Sequence, residues 1–277
     1  MVESKTFTTK LLRTVNYALL SILALSCLYP LWYTLWPINF TTISYREIMK
    51  ESKFFHSFFI SVQRTVLGTA FTTLVLVLFA YPLSKTRREF SGVNVFKWSA
   101  IFCMVFSGGA IPWYITMVNY GMIDSMIGLI LCGGLPVFNL ILIINFFRSL
   151  PDSLEEAAVV DGAGPWRILF SIVVPCSVPV LATIILFTGV GYWNEFFQGM
   201  VLSSSDSSYP LQAYIQQMVV TTQINHMSPD QLKLYSQMSN KSLNAAKVFI
   251  AMVPMMCVYP FLQRYFVTVV LPSAVKG

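Results

Sequence analysis

Between Glu155 and Pro179 the chain reads EEAAVVDGAGPWRILFSIVVPCSVP, a polar, turn-containing island between two long apolar segments. Glu155, Glu156 and Asp161 are carboxylates that need a polar surrounding, while Ala157, Ala158 and Val159 have small side chains that allow close approach by a partner. That is the chemistry of recognition rather than of catalysis. Elsewhere the chain has no Ser/His/Asp or Cys/His arrangement for a nucleophile and no phosphate loop of the G-x-x-x-x-G-K type. No catalytic residue is therefore assigned, and the chain is not expected to hydrolyse ATP by itself. His56 and His226 are far apart and lack companion ligands, so no metal site is assigned either. Glu195, beside Tyr192, Trp193 and Asn194, is the remaining carboxylate in an apolar context, and ionisable groups at membrane depth are costly.

The elements that must position these residues follow from composition. The 277 residues are 56% hydrophobic and only 11% charged, with a mean hydropathy of +0.66. A soluble domain carries roughly 25% charged residues, so the fold class is all-α, polytopic and integral to a bilayer. A polar island with broken backbone cannot lie in hydrocarbon, where its groups would go unpaired, so it forms a surface patch on one side of the membrane. The net charge of +6 points to basic loops on one membrane face, not to nucleic acid.

Uncharged runs, tested against a spanning length of ~20 residues, give six helices at about 15–36, 58–81, 96–118, 124–147, 176–200 and 245–268. The first does not read as a cleaved signal peptide, because it ends in the aromatic stretch PLWYTLWP without a small-residue cleavage site. Eleven Lys and Arg fall on the side of both termini and the island, against five on the opposite side. The richer side is cytoplasmic by the positive-inside rule, which places both ends and loop 148–175 inside. Loops 37–57 and 201–244 then face outward, and Leu211, Tyr214, Ile215, Met218 and Val219 in the second have helical spacing. Cys27, Cys103, Cys132, Cys176 and Cys257 lack metal-ligand spacing and read as small core residues.

Within the island, Pro151 with Asp152 or Ser153 starts a helix, and Glu155 and Glu156 occupy its first turn, where carboxylates suit the helix dipole. Gly162 can take a left-handed conformation that ends this helix, and Pro165 can open the next. The second helix, Trp166 to about Val173, carries Ile168, Leu169, Ile172 and Val173 on one side.

At these residues the chain resembles the permease subunits of bacterial binding-protein-dependent ABC importers. Their signature is EAA, three residues, Gly, nine residues, Ile, one residue, Leu-Pro. Here it runs from Glu156-Ala157-Ala158 through Gly162 to Ile172 and Pro175, with Val174 in place of the usual Leu. The Asp161-Gly162-Ala163 extension, Ala80-Tyr81-Pro82-Leu83-Ser84 and Trp193-Asn194 are similar to the carbohydrate branch, in particular the maltose-type permeases without extra N-terminal helices. The resemblance implies one type I importer transmembrane domain over 1–277, in the bacterial inner membrane, forming half of a pathway for an oligosaccharide or other sugar. It implies as partners a homologous second permease, two ATPase subunits that bind ATP and Mg, an extracytoplasmic solute-binding protein, the sugar and membrane lipid. It further implies that the island docks in an ATPase cleft as a coupling helix, with Glu156 paired to a basic residue.

Candidate pathway residues are Asn139, Asn145, Tyr192, Asn194 and Glu195. Asn119, Asn139, Asn145 and Gln63 can hydrogen-bond a sugar, but the simpler reading of each is a helix–helix contact. Glu195 is either a pathway or gate residue or, more simply, a carboxylate in the aromatic belt exposed to water. Arg64 can pair with Glu195 or contact the binding protein, although snorkelling to the headgroups is the simpler expectation. Pro136 and Pro254 are expected to kink their helices. The rival class is a stand-alone secondary transporter whose loop is only structural. It would need coupling-ion carboxylates within the spans, and apart from Glu195 the segments offer almost none.

Overall fold

The computed structural model describes residues 7–35, 52–86, 90–205, 208–220 and 247–257. Among the described residues every regular element is a helix. In chain order these are α1 (Phe7–Leu35), α2 (Ser52–Ser84), α3 (Val93–Val105), α4 (Ala110–Asn119), α5 (Met126–Leu131) and α6 (Val137–Ser149). There follow α7 (Asp152–Val160), α8 (Pro165–Cys176), α9 (Val178–Asn194), α10 (Phe197–Leu202), α11 (Leu211–Val220) and α12 (Lys247–Cys257).

The contacts fall into two compact units, one of residues 1–51 with 222–250 and one of 52–221 with 251–277. The first contains α1, whose stretch Arg13–Tyr29 is apolar and whose Tyr17, Ile22 and Leu25 are exposed. The second contains the island and is built on α2, α6 and α9, which pack against one another. Leu76, Ile143 and Ile184, one from each, are fully buried where the three helices meet. Ala158, Ile168, Leu169 and Val173 join the same core, so the island is anchored to it by its apolar face.

Outward-facing side chains are equally apolar: Val66, Phe71, Phe79, Trp98, Phe102 and Ile111 all lie exposed. A soluble protein does not present such a continuous apolar exterior. Lipid tails are as apolar as Leu, so close packing of side chains, rather than transfer from water, holds the helices together. The same logic corrects the reading of the cysteines. Cys132 is buried, but Cys27, Cys103, Cys176 and Cys257 are exposed, because in a lipid-facing exterior an apolar residue type no longer implies a core position.

Among the described residues, α2 alone is long and apolar enough to cross a membrane unaided. Three further pairs reach that length only across a sharp bend: α3 with α4 at 112°, α6 with α7 at 71°, and α8 with α9 at 82°. The helix expected over 96–118 is thus two helices, parted where Gly109 takes a φ of +87°. The one expected over 124–147 is interrupted between Leu131 and Val137, and Pro136 precedes α6 rather than kinking a continuous helix. The one expected over 176–200 stops at Asn194 and resumes as α10. Within α8, a widened π-type turn spans Leu169–Val173 just before Pro175. Proline has no N–H to give the carbonyl four residues back, and the wider turn accommodates that loss.

α11 confirms the helical spacing read at 211–219. Leu211, Ala213, Tyr214 and Ile215 are buried, and the Leu211 amide donates to Ser61 Oγ of α2 at 2.7 Å. Loop 37–51, residues 221–246 and the end of the sixth expected span, beyond Cys257, lie outside the described residues.

Candidate functional site

The island folds as two short helices around a preformed bend. Asp152 and Glu155 stand in the first turn of α7, where the helix dipole favours carboxylates. At its other end the Ala163 amide donates to the Ala158 carbonyl at 2.9 Å, and the Gly162 amide to that of Val159 at 3.0 Å. This paired closure needs a left-handed residue at Gly162, whose φ is +75°. A Cβ there would meet nothing within 4 Å, so glycine is required by the backbone, not by crowding. Pro165 then occupies the first turn of α8, where its missing N–H costs nothing.

The two faces of the island differ. Inward, Ala158, Ile168, Leu169 and Val173 are buried and Ile172 is half-buried. Outward, Glu156, Ala157, Asp161 and Gly162 are exposed, together with Val160 at 87% and Trp166 at 68%. Trp166 stacks on Phe170 with ring centroids 6.3 Å apart. Pro175 is exposed as well, and Ala163 is half-buried against the core. Glu155 is turned away from the outer face: its carboxylate pairs with Lys85, just beyond the end of α2. Among the described residues Glu156 has no such partner. The outer side thus combines exposed apolar side chains with the carboxylates of Glu156 and Asp161.

A second polar cluster lies where α2, α5 and the α9–α10 junction meet. Arg64 is 1% exposed, so the expectation that it snorkels to the headgroups is overturned. Its Nη2 donates to Glu195 Oε2 at 2.9 Å, its Nε to the Leu129 carbonyl at 3.0 Å and its Nη1 to the Glu195 carbonyl at 3.3 Å. An unpaired guanidinium would not remain buried, and the carboxylate with these carbonyls supplies what water would. Glu195 is accordingly not a water-exposed belt carboxylate. It breaks the helix with an extended backbone, and its carboxylate accepts the amides of Gln198 at 2.6 Å and Gly199 at 3.3 Å in the first turn of α10.

Tyr192 completes this cluster. Its ring lies 5.7 Å from the Arg64 guanidinium carbon, and its hydroxyl donates to the Ile130 carbonyl at 2.7 Å. Gly68 permits this, since a Cβ there would stand 2.7 Å from the Tyr192 ring. Asn139 Nδ2 donates to Thr188 Oγ1 at 3.2 Å, the helix–helix contact expected of it. Asn145 and Asn194 are exposed, and neither borders the cavity beside Arg64.

Two cavities adjoin these residues. One of about 200 Å³ is bordered by Arg64, Asn139, Tyr192, Glu195 and Gln198. The other, a cleft of about 880 Å³, is lined by the amides of Asn139, Asn194 and Gln212 with Phe138, Phe187 and Trp193. Asn139 borders both. Sequence reasoning missed Gln198, Cys132 and Lys85, because nothing in their local pattern distinguishes them from ordinary polar or small residues.

The family of binding-protein-dependent transport system inner membrane components matches residues 4–271. The chain belongs to this family. Among curated relatives of this inner membrane component, the polygalacturonan/rhamnogalacturonan transport system permease protein YtcP of Bacillus subtilis (strain 168) is 35% identical over 245 residues, covering 88% of this chain and 85% of YtcP. The protein LplC of the same organism is 35% identical, covering 88% of this chain and 82% of LplC. Among solved structures, a chain of a bacterial ABC transporter involved in the import of the acidic polysaccharide alginate matches with a TM-score of 0.85 at 29% identity. That match covers 96% of this inner membrane component and all of the other chain. The all-helical fold is that of an ABC importer permease.

Proposed function

We propose that this permease carries an oligosaccharide through a path shared with a homologous second permease, and that two ATPase subunits, holding ATP and Mg, drive it through the island. In this reading the six segments at about 15–36, 58–81, 96–118, 124–147, 176–200 and 245–268 each cross the membrane, some as bent pairs. Both termini and the island face the cytoplasm, and an extracytoplasmic solute-binding protein delivers the sugar to the opposite face.

The observation that carries the proposal is the two-sided island. A connector that served only its own chain would have no reason to hold Val160 and Trp166 out beside a carboxylate on a bend fixed by left-handed glycine. An exposed apolar patch edged by charge is the form of a protein interface. Glu156 at its edge would form a charge-assisted hydrogen bond to a basic ATPase side chain, giving orientation as well as energy.

Sugar as the cargo is supported by the cleft, whose amides can bond hydroxyls while Phe138, Phe187 and Trp193 offer flat apolar faces. It is supported also by the names of the relatives, which transport polygalacturonan/rhamnogalacturonan and alginate. The secondary-transporter reading loses its one carboxylate, because Glu195 is already paired with Arg64. The test is co-purification: the native chain should bring an ATPase from the membrane, and Glu156→Lys should lose it while still inserting. Capture of an equal amount of ATPase by that variant would defeat the docking role.

A further inference from the structure

Two routes connect the island to the cavity that Arg64 and Glu195 border. The covalent one runs through α8 and α9 and is jointed: it contains the widened turn at Leu169–Val173 and an 82° bend at Ser177. The other is α2, continuous from Ser52 to Ser84 and broken in pattern only by Pro82 in its last turn. A displacement at the island passes more directly along a continuous hydrogen-bonded helix than along a path broken by joints.

α2 is fastened at both ends. Near the island, Lys85 pairs with Glu155 of α7, and the two side chains are 21% and 29% exposed. The Lys85 ammonium also lies 4.6 Å from the Tyr81 ring centroid, which fixes its direction. From the end of α6, Arg148 Nε donates to the Ser84 carbonyl at 3.1 Å and its Nη2 to the Leu83 carbonyl at 3.4 Å, capping the last turn of α2. α7 is therefore tied to α2 through its own first turn and through the residue that precedes it by a short link. At 1.5 Å per residue, Arg64 stands about 30 Å back along the same helix, close to the hydrocarbon thickness of a bilayer. There its guanidinium holds both the end of α5, at Leu129, and the α9–α10 junction, at Glu195.

We propose that α2 is a strut carrying island motion to the cavity, and that Lys85 and Glu155 are the positioning residues that join it to the island. Glu155 thus acts within the chain, whereas Glu156, one residue on, faces the ATPase. This inference rests on the docking role proposed for the island. Ion pairs near the surface contribute little to stability, and the importance of this one lies in direction: without it α7 keeps its apolar contact through Ala158 and the Arg148 link, but its first turn is no longer held to the end of α2.

The test uses the complete importer in vesicles, with its binding protein and ATPases, and reads sugar moved per ATP hydrolysed. Lys85→Glu and Glu155→Lys should each retain bound ATPase yet lower that ratio by at least about fivefold, the lower end of coupling between sites in proteins. The charge-swapped double variant should restore it. Lys85→Gln, which removes the charge without inverting it, should give a smaller loss and guards against misfolding of the reversal. Ratios within about twofold of native for the single variants, or a double variant no better than they are, would overturn the strut. Glu156→Lys separates the two claims, because its defect is loss of ATPase capture. If that variant captures ATPase normally the docking role fails. If it does not, and Lys85→Glu transports normally, only the strut fails.

Discussion

Replacing Glu195 by Gln should be among the most damaging single-atom changes in this molecule. The substitution keeps the shape of the side chain but only one acceptor oxygen, whereas the Gln198 amide bonds to Oε1 and the Gly199 amide, like the Arg64 guanidinium, to Oε2. It removes the negative charge opposite a guanidinium that is 1% exposed. Breaking a buried pair costs roughly 3–5 kcal/mol when one partner is removed. Here Glu195 is 22% exposed, and Arg64 keeps the carbonyls of Leu129 and Glu195. A loss of about 2–3 kcal/mol, at and just below the low end of that range, is therefore expected. Arg64→Met should be destabilising as well, but the double variant should lose less than the sum, because no buried charge is left unpaired. A cycle of the three variants, unfolded by denaturant in detergent and followed by tryptophan fluorescence, should give a coupling of about 2 kcal/mol. Additivity within about 0.5 kcal/mol would refute the reasoning. It would mean that Arg64 finds water in the folded chain and that the pair does not hold the α9–α10 junction.

Gly68→Ala places a methyl 2.7 Å from the Tyr192 ring, so it should cost about 1–3 kcal/mol and weaken the Tyr192 bond to the Ile130 carbonyl. The same unfolding measurement checks it, and Tyr192→Leu should relieve part of the effect. Gly162→Ala meets no neighbour but must adopt the left-handed conformation, so about 1–2 kcal/mol of local strain is expected. It should appear as faster amide exchange at Ala163 with little change in global unfolding. Asp124, in the turn before α5, has a φ of +55° and accepts the amides of Ser204 at 2.7 Å and Ser205 at 3.3 Å. Asp124→Asn should be tolerated, since Asn accepts the same bonds and visits that conformation readily, whereas Asp124→Ala should loosen residues 203–205 to proteolysis.

The island was legible because everything that makes it is local. The carboxylates, small residues, Gly162 and Pro165 lie within a few turns of one another, and each has a conformational preference that agrees with its neighbours. Hydropathy likewise showed where apolar segments lie, but counting apolar residues says nothing about direction. Gly109 and Gly134 are left-handed points at which the chain turns, yet in sequence each is only the second glycine of a pair in apolar surroundings. Arg64 and Glu195, 131 residues apart, were legible as a possible pair but not as a buried one. Their burial depends on the register between α2 and α9, which Gly68 sets by letting Tyr192 approach, and no spacing within either segment reveals that. The Lys85–Glu155 contact was hidden for the same reason, and it divides two adjacent glutamates that the sequence presents as equivalent.

The most direct test of the outward face of α7 as the motor's dock is disulfide trapping in the assembled importer. With the native cysteines replaced, a cysteine at Val160 should cross-link to one placed in the ATPase cleft, in an amount that changes when ATP is bound. A cysteine at Ala158, buried against the core, should not. Failure of the first to cross-link, together with its labelling by an impermeant thiol reagent added to intact cells from outside, would contradict the account.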